Sequence, residues 1–371
     1  VHAPLCVLHL IEKNRLTTGS VVQALAAAKG LAHRGHEVWV GSRAGGDFES
    51  ACADAGLPFL ALPLRGPFDP VSASRLRKHL RRHKTEIIHV HKGRAHGVAL
   101  FAATGTGPCP RLVVNRGVTF PLDIFNKWKY RHPRVAAVVC VADAVWEVVI
   151  QSGGLRPDLV HTIHAGTDPV IFDPEHATGA RLRNEIGFNP DHIVVGQVSV
   201  RDWKGWPDLL TAFGLVARRS RAARLLLVGC ETGAARTTIE GATREAGLAS
   251  RVVTLPYRTD MPEVLAACDV VTDASWAGTG ITGTLREAMA MERAVAATDC
   301  GGNRELVVDG EVGLLVPPRN PEAMAAALTR LIDDPDLRNR LGTAARQRVV
   351  EHFSTEKRIE KLEALYREVL G

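Results

Sequence analysis

The sequence predicts an α/β chain built from two doubly wound parallel sheets in series, and three observations carry that prediction. Short apolar runs alternate with amphipathic helical stretches from one end to the other, the pattern of parallel strands covered by helices on both faces. The alternation breaks once, at 166–179, where Pro169, Pro174 and several polar residues read as an interdomain connection, and then it restarts. The length, 371 residues, exceeds one ordinary core and suits two.

In the first half the apolar run 5–11 reads as a strand, followed by a polar loop through Thr18, Gly19 and Ser20 and a helix over 21–34. Further strands are expected at 36–41, 58–62, 87–91, 112–115 and 135–141, with a basic helix over 72–84. The second half gives strands at 193–200, 224–228, 252–255, 270–274 and 294–298. Helices fall between them at 206–218, 237–246, 261–268 and 284–291, and three more close the chain at 321–332, 335–351 and 355–370.

With 46% hydrophobic and 23% charged residues, the composition is that of a globular chain rather than a disordered or fibrous one. The apolar stretch 135–150 is interrupted by Asp143 and Glu147, so it falls short of the roughly 18 to 20 residues of a spanning helix. The first residues lead directly into an apolar run without a basic start and cleavage site, so the expectation is a cytoplasmic protein. Seven cysteines, Cys6, Cys52, Cys109, Cys140, Cys230, Cys268 and Cys300, form no C-x-x-C pair and read as reduced core residues. The formal charge of +6 favours an anionic partner: a phosphorylated substrate, a membrane surface or nucleic acid.

The most informative stretch, 275–284, lies between a predicted strand and a predicted helix and carries Gly278, Gly280 and Gly283. Glycines there permit close backbone approach, and the helix start behind them offers unpaired N–H groups and the positive end of a dipole. A diphosphate fits such a cradle. The same glycines spell G-x-G-x-x-G, and Asp299 stands near the distance of a dinucleotide-binding ribose acid, so an oxidoreductase is a rival reading. That fingerprint, however, normally occupies the first strand–helix unit of its domain, and this one comes late in the second half.

The run 269–315, with Arg286-Glu287-Ala288-Met289-Ala290, Gly301-Gly302-Asn303-Arg304-Glu305-Leu306 and Asp309-Gly310-Glu311-Val312-Gly313-Leu314-Leu315-Val316, closely resembles the donor-binding core of retaining GT-B glycosyltransferases. The likeness extends through 196–208, including Lys204-Gly205, and through Ile163-His164-Ala165-Gly166-Thr167-Asp168. In the first half it rests on Gly35-His36-Glu37-Val38 and Ile87-Ile88-His89-Val90-His91. It implies a GT-B architecture of two Rossmann-like domains facing across a cleft. The boundaries expected are an acceptor-side domain at 1–168, a nucleotide-sugar domain at 169–352 and a last helix within 353–371 that crosses back to the first domain.

What the resemblance implies about residues is specific. Two acids eight positions apart face the donor in that family, and Glu287 matches the second, which grips the ribose hydroxyls. At the first stands Thr279, whose hydroxyl cannot hold a negative charge beside a developing oxocarbenium ion. Either neighbouring groups supply that role or the chain belongs to a subgroup that dispenses with it. Lys204 matches the cation that neutralises the leaving diphosphate, and Arg201 is the candidate for the second, so Arg201, Lys204 and Glu287 form the expected catalytic set. Thr279, Gly280, Ile281, Thr282 and Gly283 would hold the sugar and diphosphate, Tyr257 and Arg258 the base, and Gly19 and Ser20 would close from the other domain. His91, Arg94, Asn115 and Arg116 are the acceptor-side candidates.

No metal and no separate cofactor are expected, the nucleotide-diphosphate sugar being a co-substrate. His89, His91 and His96 lack a third ligand with convincing spacing, and Asp334-Pro335-Asp336 reads as a helix cap rather than a metal-binding triplet. Arg75, Arg77, Lys78, Arg81, Arg82, His83 and Lys84, with Lys127, Trp128, Lys129, Tyr130 and Arg131, make the first half basic. These read as a solvated helix face or as a peripheral contact with the anionic inner face of a membrane; no nucleic-acid module accompanies them. The expected partners are therefore a nucleotide-sugar donor, a glycan or glycolipid acceptor of the lipopolysaccharide or surface-polysaccharide type, and an anionic membrane surface. A weakly active sugar-nucleotide-binding protein remains the main rival, raised by Thr279.

Overall fold

Apolar residues follow one another in these strands because each sheet is covered on both faces, so no polar alternation is needed. The computed structural model of the chain describes residues 3–103, 110–230 and 232–371, and Cys109 lies outside them. It divides into two compact units, Val1–Gly166 with Thr355–Gly371, and Thr167–Ser354.

The first unit runs β1 (Cys6–Leu10), α1 (Gly19–His33), β2 (Glu37–Ser42), α2 (Asp47–Asp54), β3 (Phe59–Ala61), α3 (Pro70–His83), β4 (Ile87–Val90), α4 (Gly93–Ala103), β5 (Arg111–Arg116), α5 (Ile124–Tyr130), β6 (Val135–Cys140), α6 (Asp143–Gly153) and β7 (Val160–Thr162). Its strands pair in parallel in the order β3-β2-β1-β4-β5-β6-β7. Some helix starts have a local cause: α3 begins where Asp69 accepts from the Val71 N–H at 3.1 Å and Pro70 takes the first helical position.

The second unit runs α7 (Ala180–Glu185), β8 (Ile193–Val198), α8 (Trp206–Arg219), β9 (Ala223–Val228), α9 (Gly233–Glu245), β10 (Val252–Leu255), α10 (Met261–Ala266), β11 (Val270–Asp273), α11 (Gly283–Ala290), β12 (Ala294–Thr298), α12 (Asn303–Leu306), β13 (Leu314–Val316), α13 (Pro321–Asp333) and α14 (Pro335–His352). Its parallel order is β10-β9-β8-β11-β12-β13. Asp334 caps α14 by accepting from the Leu337 N–H at 2.8 Å, with Pro335 at the first helical position. The stretch read as a connection is partly ordered within this unit, where Thr167 bridges Ser354. The three-residue strands β7 and β13 are too short to show a period, and the sequence reading has no counterpart for them.

The last helix, α15 (Thr355–Leu370), belongs to the first unit and packs on α1, giving Ile359, Leu362, Leu365 and Tyr366 to its core. Arg34 anchors it through Glu356 and, at 2.9 Å, Glu363. Tyr366 reaches the sheet itself, its hydroxyl 2.5 Å from His89 Nδ1.

His89 is one of three buried imidazoles where the strand order turns between β1 and β4. The third partner, which sequence spacing along one strand could not supply, is His9, opposite His89 in the β1–β4 register. His9 Nδ1 lies 2.9 Å from His91 Nε2. The ring nitrogens of the three lie within 4.8 Å of one another. Two of these nitrogens meet each other, His89 Nδ1 faces the Tyr366 hydroxyl, and the Arg358 guanidinium nearby disfavours a second cation. Burial first, then Arg358, pushes His9 down to about 3, and burial with the neighbouring imidazoles and Arg358 holds His89 and His91 well below the ordinary value.

These neutral histidines make the fold acid-sensitive. Below an ordinary imidazole value of about 6.5 the unfolded chain takes up protons that the folded His9 refuses until about 3, so stability falls as pH falls through that window. Each such group contributes a loss of about 1.4 kcal/mol per pH unit. Thermal unfolding should show a midpoint that is flat above pH 7 and drops steeply from pH 6 to pH 4. A midpoint independent of pH over that range would mean that the imidazoles protonate inside the folded state.

Candidate functional site

In an open parallel sheet the loops leaving adjacent strands diverge where the strand order reverses, which opens a crevice at their carboxyl ends. In the second unit that point lies between β8 and β11. The chain leaves β8 through Ser199, at φ +68°, and a 3₁₀ turn over Asp202–Lys204. Gly205 follows at φ +68°, and a Cβ on it would lie 1.9 Å from the Ala274 carbonyl oxygen, so only glycine lets this turn press against the end of β11. The contact buries Lys204, whose Nζ lies 3.5 Å from Asp273 Oδ2 and 3.4 Å from Thr282 Oγ1.

Asp273 closes β11 and is fully enclosed. Its Oδ1 accepts from the Ser275 backbone N–H at 3.0 Å and from the Ser275 hydroxyl; its Oδ2 accepts from the Thr282 hydroxyl and, at 3.5 Å, from Asn303 Nδ2. Burial works against the charge, but Lys204 and the Ser275 and Thr282 hydroxyls outweigh it and hold the carboxyl below its ordinary value. The surrounding backbone is fixed by Gln197, which donates to the Lys204 carbonyl at 3.0 Å and accepts from the Ala274 N–H at 3.1 Å. Gln197 is thus a clamp between the two loops.

The glycine loop after β11 turns at Gly278, φ +71°, and rests on the loop after β12, where the Gly302 N–H donates to the Gly280 carbonyl at 3.0 Å. Gly301, at φ +56°, passes so close beneath it that a Cβ would lie 1.9 Å from the Thr279 carbonyl oxygen. Thr279 is buried, with Oγ1 3.1 Å from Thr282 Oγ1, and Ile281 is buried beside it. Thr282 is the N-cap of α11, yet its side chain caps no backbone N–H. The first turn of α11, starting at Gly283, therefore presents backbone donors and a positive dipole end next to Lys204, a combination suited to an anion.

The other expected residues are placed as follows. Glu287 is half-buried on α11, its carboxyl raised by burial against the pull of Arg286. Arg201 is exposed at the start of the 3₁₀ turn. Tyr257 is exposed after β10, whereas Arg258 is committed to Asp260 at 2.7 and 2.8 Å and to Glu185 at 2.8 Å. Asp299, the ribose acid of the dinucleotide reading, is forked by Arg304 at 2.7 and 2.8 Å. The glycine fingerprint follows β11, not the first strand of its unit, which is β8. In the first unit, Gly19 and Ser20 begin α1, Arg94 is exposed on the first turn of α4, and Asn115 and Arg116 end β5 half-buried, Arg116 bonding the Phe120 carbonyl. His91 is buried against His9. Of the aromatic–basic run at 127–131, Lys129 and Tyr130 turn inward, and Lys129 donates to the Gly93 carbonyl at 3.4 Å.

Asp273, Ser275 and Asn303 were not singled out in the sequence. The available signal was an acid closing an otherwise apolar strand, Val270-Val271-Thr272-Asp273, where a buried charge demands partners.

Two family models match this chain: Glycosyltransferase Family 4 over residues 17–170 and Glycosyl transferases group 1 over residues 189–334. An alpha-D-kanosaminyltransferase of Streptomyces kanamyceticus is 29% identical over 255 residues, taking in 67% of this chain and 64% of that protein. The match thus spans just under two thirds of that relative's own length. The crystal structure of a glycosyltransferase from Rickettsia africae superposes with a TM-score of 0.89 at 19% identity, covering 100% of this chain and 99% of that one. Anabaena Alr3699/HepE, solved in complex with UDP, gives 0.84 at 21% identity, covering 98% and 100%.

Proposed function

The chain belongs to the GT-B glycosyltransferases, and we propose that it transfers a sugar from a nucleotide-diphosphate sugar to an acceptor, with retention at the anomeric carbon and without a metal. The observation that carries this reading is the meeting of the buried Lys204 with the uncapped start of α11 behind a glycine loop. Departure of a nucleoside diphosphate builds negative charge on its phosphates, and a cation and helix dipole already in place stabilise that charge without reorganising. Thr279, Gly280, Ile281, Thr282 and Gly283 then line the sugar and diphosphate, Glu287 takes the ribose hydroxyls, Arg201 adds a second cation, and Tyr257 flanks the base. The relative named for kanosaminyl transfer and the neighbour solved with UDP support a sugar-nucleotide donor.

The acceptor is assigned to the first unit, as a lipid-linked or surface-polysaccharide glycan of the lipopolysaccharide type, with His91, Arg94, Asn115 and Arg116 on its side. The exposed surface of that unit supports work at a membrane. Ile124 and Phe68 are 77% and 63% exposed, Phe68 stacks on Trp128 at 6.2 Å, and Lys127, Arg131 and Arg94 belong to the same or the adjacent helix ends. Aromatic rings beside lysine and arginine suit the headgroup zone of an anionic bilayer. Among the described residues no helix is long and apolar enough to cross a membrane.

Incubation with a panel of labelled nucleotide sugars should give transfer or slow hydrolysis from at least one of them, and a chain inert to all would end this reading. Lys204→Ala should lower kcat more than it raises the donor KM, because the charge it meets grows in the transition state. Glu287→Ala should weaken donor binding by about 1.5 to 3 kcal/mol in calorimetry, the range of a charged hydrogen bond. Thr279→Ala should cost about 0.5 to 1.5 kcal/mol, and Thr279→Glu should not exceed wild-type turnover, since a second anion would stand close to the diphosphate. A faster glutamate variant would favour a weakly active binding protein. Sedimentation with vesicles should show binding that requires anionic lipid and falls in Phe68→Ser/Trp128→Ser; equal binding to neutral vesicles would remove the membrane assignment.

A further inference from the structure

The hydrogens around Thr282 can be assigned by elimination. Ionised Asp273 only accepts and the Lys204 ammonium only donates, while a threonine hydroxyl has one hydrogen to give. Thr282 lies between both, bonded to Asp273 Oδ2 and 3.4 Å from Lys204 Nζ, so its hydrogen points at Asp273 and its lone pairs face Lys204. In the 3.1 Å contact between the two threonines, Thr279 is then the donor. A threonine at an N-cap ordinarily turns its oxygen to a backbone N–H of the first turn. Here the backbone has cap geometry, φ −67° and ψ 122°, and the side chain caps nothing, because its oxygen is held on the Lys204–Asp273 side.

We propose that Asp273 is a positioning residue for phosphate capture: by holding the Thr282 hydroxyl and the Lys204 ammonium, it keeps the start of α11 uncapped and a cation beside it. This deepens the donor reading and rests on it. An exposed lysine would reach the same phosphates only after losing side-chain freedom, whereas Lys204 is already buried and aimed. Asp273 also sets the balance of the site. It is the near carboxylate for Lys204, and the 3.5 Å separation with a hydroxyl bridging the two leaves the ammonium able to turn towards a bound diphosphate. The other groups around the ammonium are the Trp203 ring, 5.0 Å from Nζ, and the Cys300 thiol in the loop after β12, which burial and Asp273 push up to about 11. Neither supplies a counter-charge at neutral pH.

The experiment uses the full chain with UDP, then GDP and ADP, as probes, reading affinity by calorimetry at neutral pH and thermal unfolding in parallel. Asp273→Asn keeps the size of the side chain but replaces the charge that holds the Thr282 hydroxyl and the Lys204 ammonium with a neutral amide. Nucleotide affinity should fall about tenfold, because Lys204 is released and the Thr282 hydroxyl is free to cap α11. Thr282→Val lets the ammonium close directly on Asp273 and should weaken binding about tenfold, with Thr282→Ser within about threefold of wild type at an unchanged unfolding midpoint. An Asp273→Asn affinity equal to wild type, or a serine variant no better than valine, overturns the proposal while the donor reading stands. If Asp273→Asn does not fold, the Thr282 pair decides alone. A wild type that binds none of the three nucleotides overturns the donor reading and this proposal with it.

Discussion

Asp273 carries a negative charge into the protein interior, and the second unit's cradle is arranged around satisfying it. A buried carboxylate is tolerated only when several donors converge on it. The four donors come from three segments: Lys204 from the turn after β8, Ser275 and Thr282 from either end of the glycine loop, and Asn303 from the start of α12. Each bond draws its own loop inward. Thr298 adds a bond from β12 to the Asp273 carbonyl at 3.2 Å, and Asn303 returns to the Thr298 carbonyl at 3.2 Å. The two close backbone approaches, at Gly205 and Gly301, are the steric consequence of pulling these loops together.

This explains why part of the site could be read in the sequence and part could not. Repeated apolar runs reveal parallel strands because both sheet faces are buried, and a glycine loop before a helix reveals a phosphate-sized cradle because that chemistry is local. The order of strands in a sheet is not local. Lys204 and Asp273 are 69 positions apart, counting from 204 to 273, and they meet only because β8 and β11 are neighbours. His9 and His89 pair for the same reason. Arg258, expected near the base, is held in place by Asp260 two residues on and by Glu185 in α7, a partnership that sequence spacing does not announce. Lys129 and Tyr130 stood in a basic run, but the helical period of α5 turns them inward and leaves Trp128 out.

The two sheets share one strand order over six strands, with the reversal next to the first strand of each unit, but they place opposite chemistry there. The first unit has three neutral imidazoles, kept neutral by burial and by Arg358; the second has an ion pair. Neutral imidazoles offer directed hydrogen bonds and no net charge, so they cannot by themselves attract a dianion. A lysine shared between a carboxylate and a hydroxyl can, because part of its interaction is available for exchange. The same backbone crevice is thus specialised by what its strand ends carry.

The first unit's histidine cluster also fixes what counts as that unit. Tyr366 donates to or accepts from His89, and Arg358 bonds Gln23 of α1, which in turn accepts and donates at Gly166. These contacts come from the last helix in the sequence and reach buried polar groups that have few other partners of their own. Apolar burial by Leu362 and Leu365 adds to them, at about 1.5 to 3 kcal/mol for each fully buried side chain. A fragment ending before Thr355 would expose that apolar surface and leave the His89 ring without its hydroxyl, so the first unit is completed only when the end of the chain has folded onto it.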